Sequence, residues 1–308
     1  KQLPFDEEFV RQKKGYDSYR NSNIRVNVTG TEAVYDITFY QKPVINWIYE
    51  DFLPQHPALK TFDITGSFNV AAEDRDTLFA IIDAVEALTE LQVLGLGHMT
   101  FDGFAIRRLG RMLGKLYHSQ SVKGETVQGG GLKVLTLPAI INGRTHLRDL
   151  QNVFTGLMTL EALDLSQNKM GQAGIAFFGN VLRELPALRV LNAADNNLFD
   201  AGEGPIRTMA SLQEGILQRA GTLEMIDLSG NKMGLDNWRH LQDALGACTA
   251  LRVIDLRDNE LSDGALTQAA DLLARLPEIE EIRLSGNRIS QEAYGKLTAI
   301  QKKKILIE

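Results

Sequence analysis

The side chains that most often carry out chemistry are few in this chain, and they lie far apart. His98, His146 and His240 fall in different stretches, and no Ser or Cys is spaced to work with any of them. No nucleophile–base pair can be read from the spacing. Five histidines and one cysteine do not suit a structural zinc site, which draws four ligands mostly from those two residue types. Cys248 has no second cysteine to pair with, which fits a reducing compartment. Its neighbours Ala247, Thr249 and Ala250 mark it as a small packing residue. Gly129-Gly130-Gly131 follows Gly124 but lacks the Gly-Lys-Ser/Thr ending of a phosphate loop. Asp200 and Glu203 sit in a Gly- and Pro-rich stretch ending at Pro205, which reads as an extended turn rather than a cation site. Asn27-Val28-Thr29 matches a glycosylation triplet, a pattern that arises often by chance. The expectation is a non-catalytic protein with no cofactor and no metal.

Composition narrows the partners. The formal net charge is −6, with 44% hydrophobic and 23% charged residues, as in ordinary folded proteins. A mildly acidic chain lacks the basic stripe that nucleic acid asks for. No apolar run reaches the 18 or so residues of a membrane span. The expected setting is cytoplasmic, with a protein partner, no nucleic acid, no membrane and a monomeric state.

The strongest signal is internal repetition. Leu160, Leu163, Leu165, Asn168 and Met170 recur as Leu188, Leu191, Ala193, Asn196 and Leu198. The same slots then hold Leu223, Ile226, Leu228, Asn231 and Met233, then Leu251, Ile254, Leu256, Asn259 and Leu261, then Ile279, Ile282, Leu284, Asn287 and Ile289. The period is 28 residues, stretched once to 35. Weaker copies stand upstream at Leu132, Leu135 and Leu137, at Leu91, Leu94 and Leu96, and at Leu59, Phe62 and Ile64, with Val34, Ile37 and Phe39 a more degenerate one. Their Asn slots hold Ile140, Met99 and Ser67.

Elementary patterns say what each unit must be. Alternation of apolar and polar residues around Leu163-Asp164-Leu165 is strand periodicity. Leu266, Ala269, Ala270, Leu273 and Leu276 then recur at helical steps, with Ser262 or Asp263 as a candidate cap and Pro277 as a stop. Units of strand, turn, helix and return stack their strands in parallel through right-handed crossovers. An Asn at the turn can serve backbone groups that water does not reach, so Asn168, Asn196, Asn231, Asn259 and Asn287 are expected to form a buried ladder.

The motif Leu-x-x-Leu-x-Leu-x-x-Asn-x-Leu over residues 160–289 resembles the leucine-rich-repeat family. The repeat length resembles its ribonuclease-inhibitor-like, helical class. That resemblance implies an α/β right-handed solenoid, a horseshoe with parallel strands inside and helices outside. Residues 1–33 are expected to form an N-terminal segment and cap, and 34–308 a solenoid of about eight or nine coils. Within these ranges 24–40 reads as a hairpin turning at Thr29-Gly30-Thr31, Pro43 opens a helix that Pro54 and Pro57 end, and Ile305 with Ile307 forms a closing strand after Lys302-Lys303-Lys304. Two coils carry insertions, at 118–131 and 199–205.

A solenoid works through its exposed concave residues and adjacent loops. The residue between the second and third apolar slots is expected to face outward, giving a row with Asp63, Asp164, Asn192, Asp227 and Asp255, closed by Arg283. The next outward row contributes Thr65 and Arg257. These rows lack large aromatics, apart from Tyr40 at the N-terminal edge. The acids are expected to stand unpaired and to steer in a protein with a basic patch. The resemblance also admits a regulator of another enzyme, of the GTPase-activator kind, or the binding domain of a larger protein such as a bacterial effector.

Overall fold

Each Leu-x-x-Leu-x-Leu segment becomes a strand of only three residues, whose middle side chain enters the core while its neighbours face the other way. In the computed structural model, which describes residues 25–29, 32–36, 46, 48–64, 75–118, 131–141, 143–200 and 209–307, these segments form one eleven-stranded sheet in sequence order. Its strands are β1 Arg25–Thr29, β2 Glu32–Asp36, β3 Thr61–Asp63, β4 Val93–Gly95, β5 Val134–Thr136, β6 Ala162–Asp164, β7 Val190–Asn192, β8 Met225–Asp227, β9 Val253–Asp255, β10 Glu281–Arg283 and β11 Ile305–Leu306. β1 and β2 form the expected antiparallel hairpin, and β2 runs parallel to β3. Every later neighbour is parallel, and the closing strand pairs Ile282 with Ile305.

From β3 onward the register is the repeat itself; at β2 it is Ala33, not Ile37, that lies against Phe62, so the most degenerate copy sits four residues earlier than its spacing suggested. Leu135 lies against Leu163, Leu163 against Leu191, and Ile226 against Ile254. Backbone pairing extends past the short strands. The carbonyl of Glu161 accepts from both Arg189 N and Val190 N at 2.8 and 3.0 Å, and Leu165 N donates to Asn192 O at 3.0 Å. Three-residue strands are therefore held by a longer hydrogen-bonded seam that satisfies the backbone at both ends.

Helices form the other layer: α1 Leu53–Gln55, α2 Arg75–Val85, α3 Gly103–His118, α4 Leu147–Gln151, α5 Ala173–Glu184, α6 Met209–Gln218, α7 Gly234–Leu245, α8 Gly264–Arg275, α9 Gln291–Gly295 and α10 Ala299–Lys304. One π-helical turn, Ile48–Phe52, precedes α1. Pro54 lies inside α1 at its first positions, where its missing N–H costs nothing; it does not end a helix as the sequence suggested. Between the layers sits one continuous core in which Leu163, Leu165, Phe178 and Trp238 have essentially no solvent exposure. Each such side chain contributes roughly 1.5–3 kcal/mol through burial. Cys248 packs there too, in the turn after α7; burial pushes its thiol up to about 12.

The Asn ladder is present. Asn168, Asn196, Asn231 and Asn259 are fully buried. The Oδ1 of Asn231 accepts from Asn196 N and Leu198 N at 3.0 and 3.2 Å, while its Nδ2 donates to the carbonyls of Ala193, Leu228 and Ser229. Asn259 repeats this toward Asn231 and Met233, and Asn287 toward Asn259 and Leu261. Upstream of Asn168 the slot holds buried Ile140 and Met99, and Asn168 itself serves Ile140 N and Ile141 N.

Asp263 differs from its expected role. Its side chain does not cap α8; it accepts from Ser290 N and Ser290 Oγ one coil on, at 2.6 and 2.8 Å. Ser290 in turn caps the next helix, accepting from Ala293 N at the start of α9. Lys302, Lys303 and Lys304 occupy the last turn of α10, where cations complement the helix dipole, and Lys304 Nζ reaches Ile279 O at 2.6 Å. The insertion residues 119–130 and 201–208, with Tyr40 and Thr65, lie outside the described residues.

Candidate protein-binding face

Pleating sends the first and third residues of each strand away from the core. The third residues align in register as Asp63, Gly95, Thr136, Asp164, Asn192, Asp227, Asp255 and Arg283. The row read from the sequence is therefore one continuous row on the sheet.

Its acids are not free. The Oδ1 of Asp164 accepts from Ser166 N at 2.8 Å, that of Asn192 from Ala194 N at 3.0 Å, and that of Asp227 from Ser229 N at 2.9 Å. Asp255 does the same for Arg257 N at 3.2 Å. An Asp or Asn at the strand end holds the turn by taking the N–H two residues on. This is a structural reason for the residue type in this row.

The expectation of unpaired acids is corrected most sharply at Asp255. It is 0% exposed, and its carboxylate meets Arg257 Nη2 at 2.7 Å and Arg283 Nη1 at 3.4 Å. A buried carboxylate persists only with such partners. Asp227 retains 9% exposure. Burial pushes its carboxyl above the usual carboxylate range and the Asp255 carboxylate pushes the same way, while hydrogen bonding from Ser229 and the Arg257 charge oppose. Asp63 and Asp164 are half-buried on β3 and β6. The C-terminal end of the row carries the cations, with Arg257 and Arg283 partly exposed.

Two further rows went unread in the sequence. The first residue of each strand from β4 to β9 gives Val93, Val134, Ala162, Val190, Met225 and Val253, all half-buried, an aliphatic stripe beside the Asp/Asn row. One position before it stand Lys133, Glu161, Arg189, Glu224, Arg252 and Glu280, alternating in sign. Lys133 Nζ lies 3.4 Å from Glu161, Arg189 lies 3.8 Å from Glu161 and 2.6 Å from Glu224, and Arg252 pairs with Glu280 through Nε at 2.9 Å. The alternation was visible at a fixed offset from each first Leu slot. That border is electrostatically self-satisfied, so the open positions are the aliphatic stripe and the polar row beside it.

Among the described residues no group of three His, Cys, Asp or Glu side chains could hold a metal ion, and no helix is long and apolar enough to cross a membrane.

Parallel three-residue strands, an outer layer of helices and an Asn ladder define a leucine-rich-repeat horseshoe, and comparison with known proteins agrees. The family described as Leucine Rich repeat matches residues 156–179. Ribonuclease inhibitor from Sus scrofa is 28% identical over 136 residues, an alignment covering 44% of this chain and 28% of that protein. Among solved structures, the TLR13-ssRNA13 complex matches with a TM-score of 0.44 at 14% identity, covering 80% of this chain and 32% of that one. The secreted internalin-like protein Lmo2445 from Listeria monocytogenes matches with a TM-score of 0.32 at 15% identity, covering 55% and 50%. The chain carries leucine-rich repeats similar to those of ribonuclease inhibitor. It spans well under two thirds of the length of each of these relatives.

Proposed function

We propose that this chain is a non-catalytic binding module that holds a partner protein against its concave sheet. The observation that carries the reading is the in-register stripe Val134, Ala162, Val190, Met225 and Val253, half-buried on the face opposite the core. Aliphatic groups left partly in water along five strands offer contact area that a partner can desolvate.

The polar row beside the stripe supplies register and charge. Asp63, Asp164 and Asn192, with Asp227 to a lesser degree, would take basic groups of the partner. Arg257 and Arg283, already oriented by Asp255, would take an acidic one. The Sus scrofa relative is by name an inhibitor of ribonuclease, which supports a protein partner and the absence of catalysis. The reading takes the module to act as a cytoplasmic monomer.

The test is affinity capture from lysate with the parent chain and with Val190→Glu and Asp164→Lys variants. A partner bound through the concave face is lost or weakened by about tenfold in each variant, because a buried charge or a reversed one opposes the contact. Its capture also falls as salt is raised from low to physiological levels. A partner held equally by parent and variants would place the interface elsewhere.

A further inference from the structure

The convex side carries a second surface that concave binding does not use. Helix α3 is 16 residues long and its neighbour α4 only five. The mismatch opens a groove of about 540 Å³ lined by Phe104, Ile106, Arg107, Gly110 and Arg111 of α3, and by Asp149 and Asn152 across it. Phe104 stands 61% exposed at this groove.

Its ring is braced rather than loose. The Arg107 guanidinium lies 4.9 Å and that of Arg75 5.4 Å from the ring centroid. Both arginines are anchored in turn, Arg107 on Asp149 at 2.7 Å and Arg75 on Asp102 at 2.6 Å. Cation–π contacts and ion pairs together hold the aromatic in water with little left to order on binding.

Charge decides the occupant. Helix α3 carries Arg107, Arg108, Arg111 and Lys115 with no acidic residue, in a chain of net charge −6. Asp149 is spent on Arg107, Arg108 is held by Asp83, and Lys115 by Glu86. Arg111, in the groove wall, has no ion-pair partner among the described residues. A fixed aromatic with an uncommitted guanidinium group in the same groove wall complements an acidic segment that also carries an apolar side chain.

We propose that the α3–α4 groove is a docking site for an acidic peptide segment of a partner protein, with an aromatic or leucine side chain packed on Phe104 and a carboxylate on Arg111. This site is independent of the concave face, so partner capture there and peptide binding here can fail separately.

The experiment is fluorescence anisotropy on the full chain with three probes. One is a short labelled peptide of Asp and Glu around a central Leu-Phe pair, the second replaces that pair by Gly-Gly, and the third is a single-stranded oligonucleotide of equal charge. The first probe is expected to bind, the second to bind about tenfold more weakly, and the third not to compete. Phe104→Ala and Arg111→Gln are each expected to weaken the first probe about tenfold with the thermal midpoint unchanged. No binding of the first probe, equal binding of the second, preference for the oligonucleotide, or full binding by well-folded variants each overturns the proposal. So does a self-associated chain whose dimer dissociates on Phe104→Ala.

Discussion

The carboxylate of Asp255, shut off from solvent at the end of β9, is gripped by the guanidinium of Arg257 two residues along the chain. Arg257 Nε donates to both oxygens at 2.9 and 3.0 Å, and Nη2 adds a third bond at 2.7 Å. Arg283 approaches from the next strand at 3.4 Å. The Arg257 side chain stays 45% exposed, so the pair is a buried acid beneath a partly wet base. Removing the base strands the acid. Arg257→Ala is expected to cost about 2 kcal/mol, below the 3–5 kcal/mol of a fully orphaned charge because Arg283 remains. Adding Asp255→Asn to that variant should recover much of the loss. Denaturant titration of the double-mutant cycle reads this directly, and additive losses would show that the two side chains do not act together.

Asp227 gives a pH signature of opposite sense to a paired acid. Burial raises its folded-state pKa above the unfolded value, so the folded chain holds a proton where the unfolded chain has already lost one. Stability therefore falls as pH rises through that window and stays lowered above it. Asn192 shows that an amide does the same turn-holding job, accepting from Ala194 N at 3.0 Å. Asp227→Asn is expected to unfold at a higher temperature than the parent near pH 7, with the gap closing below about pH 4. Melting curves across that range check it; a variant less stable at every pH would mean the charge itself is needed.

The ladder predicts a graded series. Asn231 is fully buried and bonded in both directions, whereas Asn287 at the array end is half-buried. Asn231→Leu leaves the backbone groups it serves without partners and is expected to cost about 1–3 kcal/mol. Asn287→Leu should cost less, because water can reach the groups it abandons. Equal midpoints for Asn231→Leu and the parent would contradict the observed bonding.

Gly230 and Gly286 owe their identity to a residue one coil earlier. Both have positive φ, but so do Gln167, Asp195 and Asp258 at the same turn position, so left-handed backbone alone does not demand glycine there. Contact adds to the requirement: a Cβ on Gly230 would meet the Asp195 carboxylate, and one on Gly286 that of Asp258, so the carboxylate must swing aside. Gly230→Ala is expected to cost about 1–3 kcal/mol through overpacking. Asp195→Gly in the same chain should restore most of it, measured by chemical unfolding. If the second substitution recovers nothing, backbone strain rather than the carboxylate sets the requirement.

The sequence alone determined the architecture, because in a solenoid each coil encodes its own share of the core. Leu163 and Leu165 with Asn168 state strand, core face and turn within a few residues, and the 28-residue period says which residues stack. The ladder and the outward row followed from that period and stand where it put them. The tertiary structure decided how side chains choose among partners a coil away. Asp255 reads as an open acid until Arg257 and Arg283 close over it, and Asp263 reads as a helix cap until Ser290 arrives beside it. The groove under Phe104 depends on α4 ending after five residues, a length that the repeat spacing leaves open. Periodicity reports which backbones are adjacent, whereas burial, ion pairing and groove shape depend on distances between side chains separated by a whole coil of sequence, and only the stacked structure sets those.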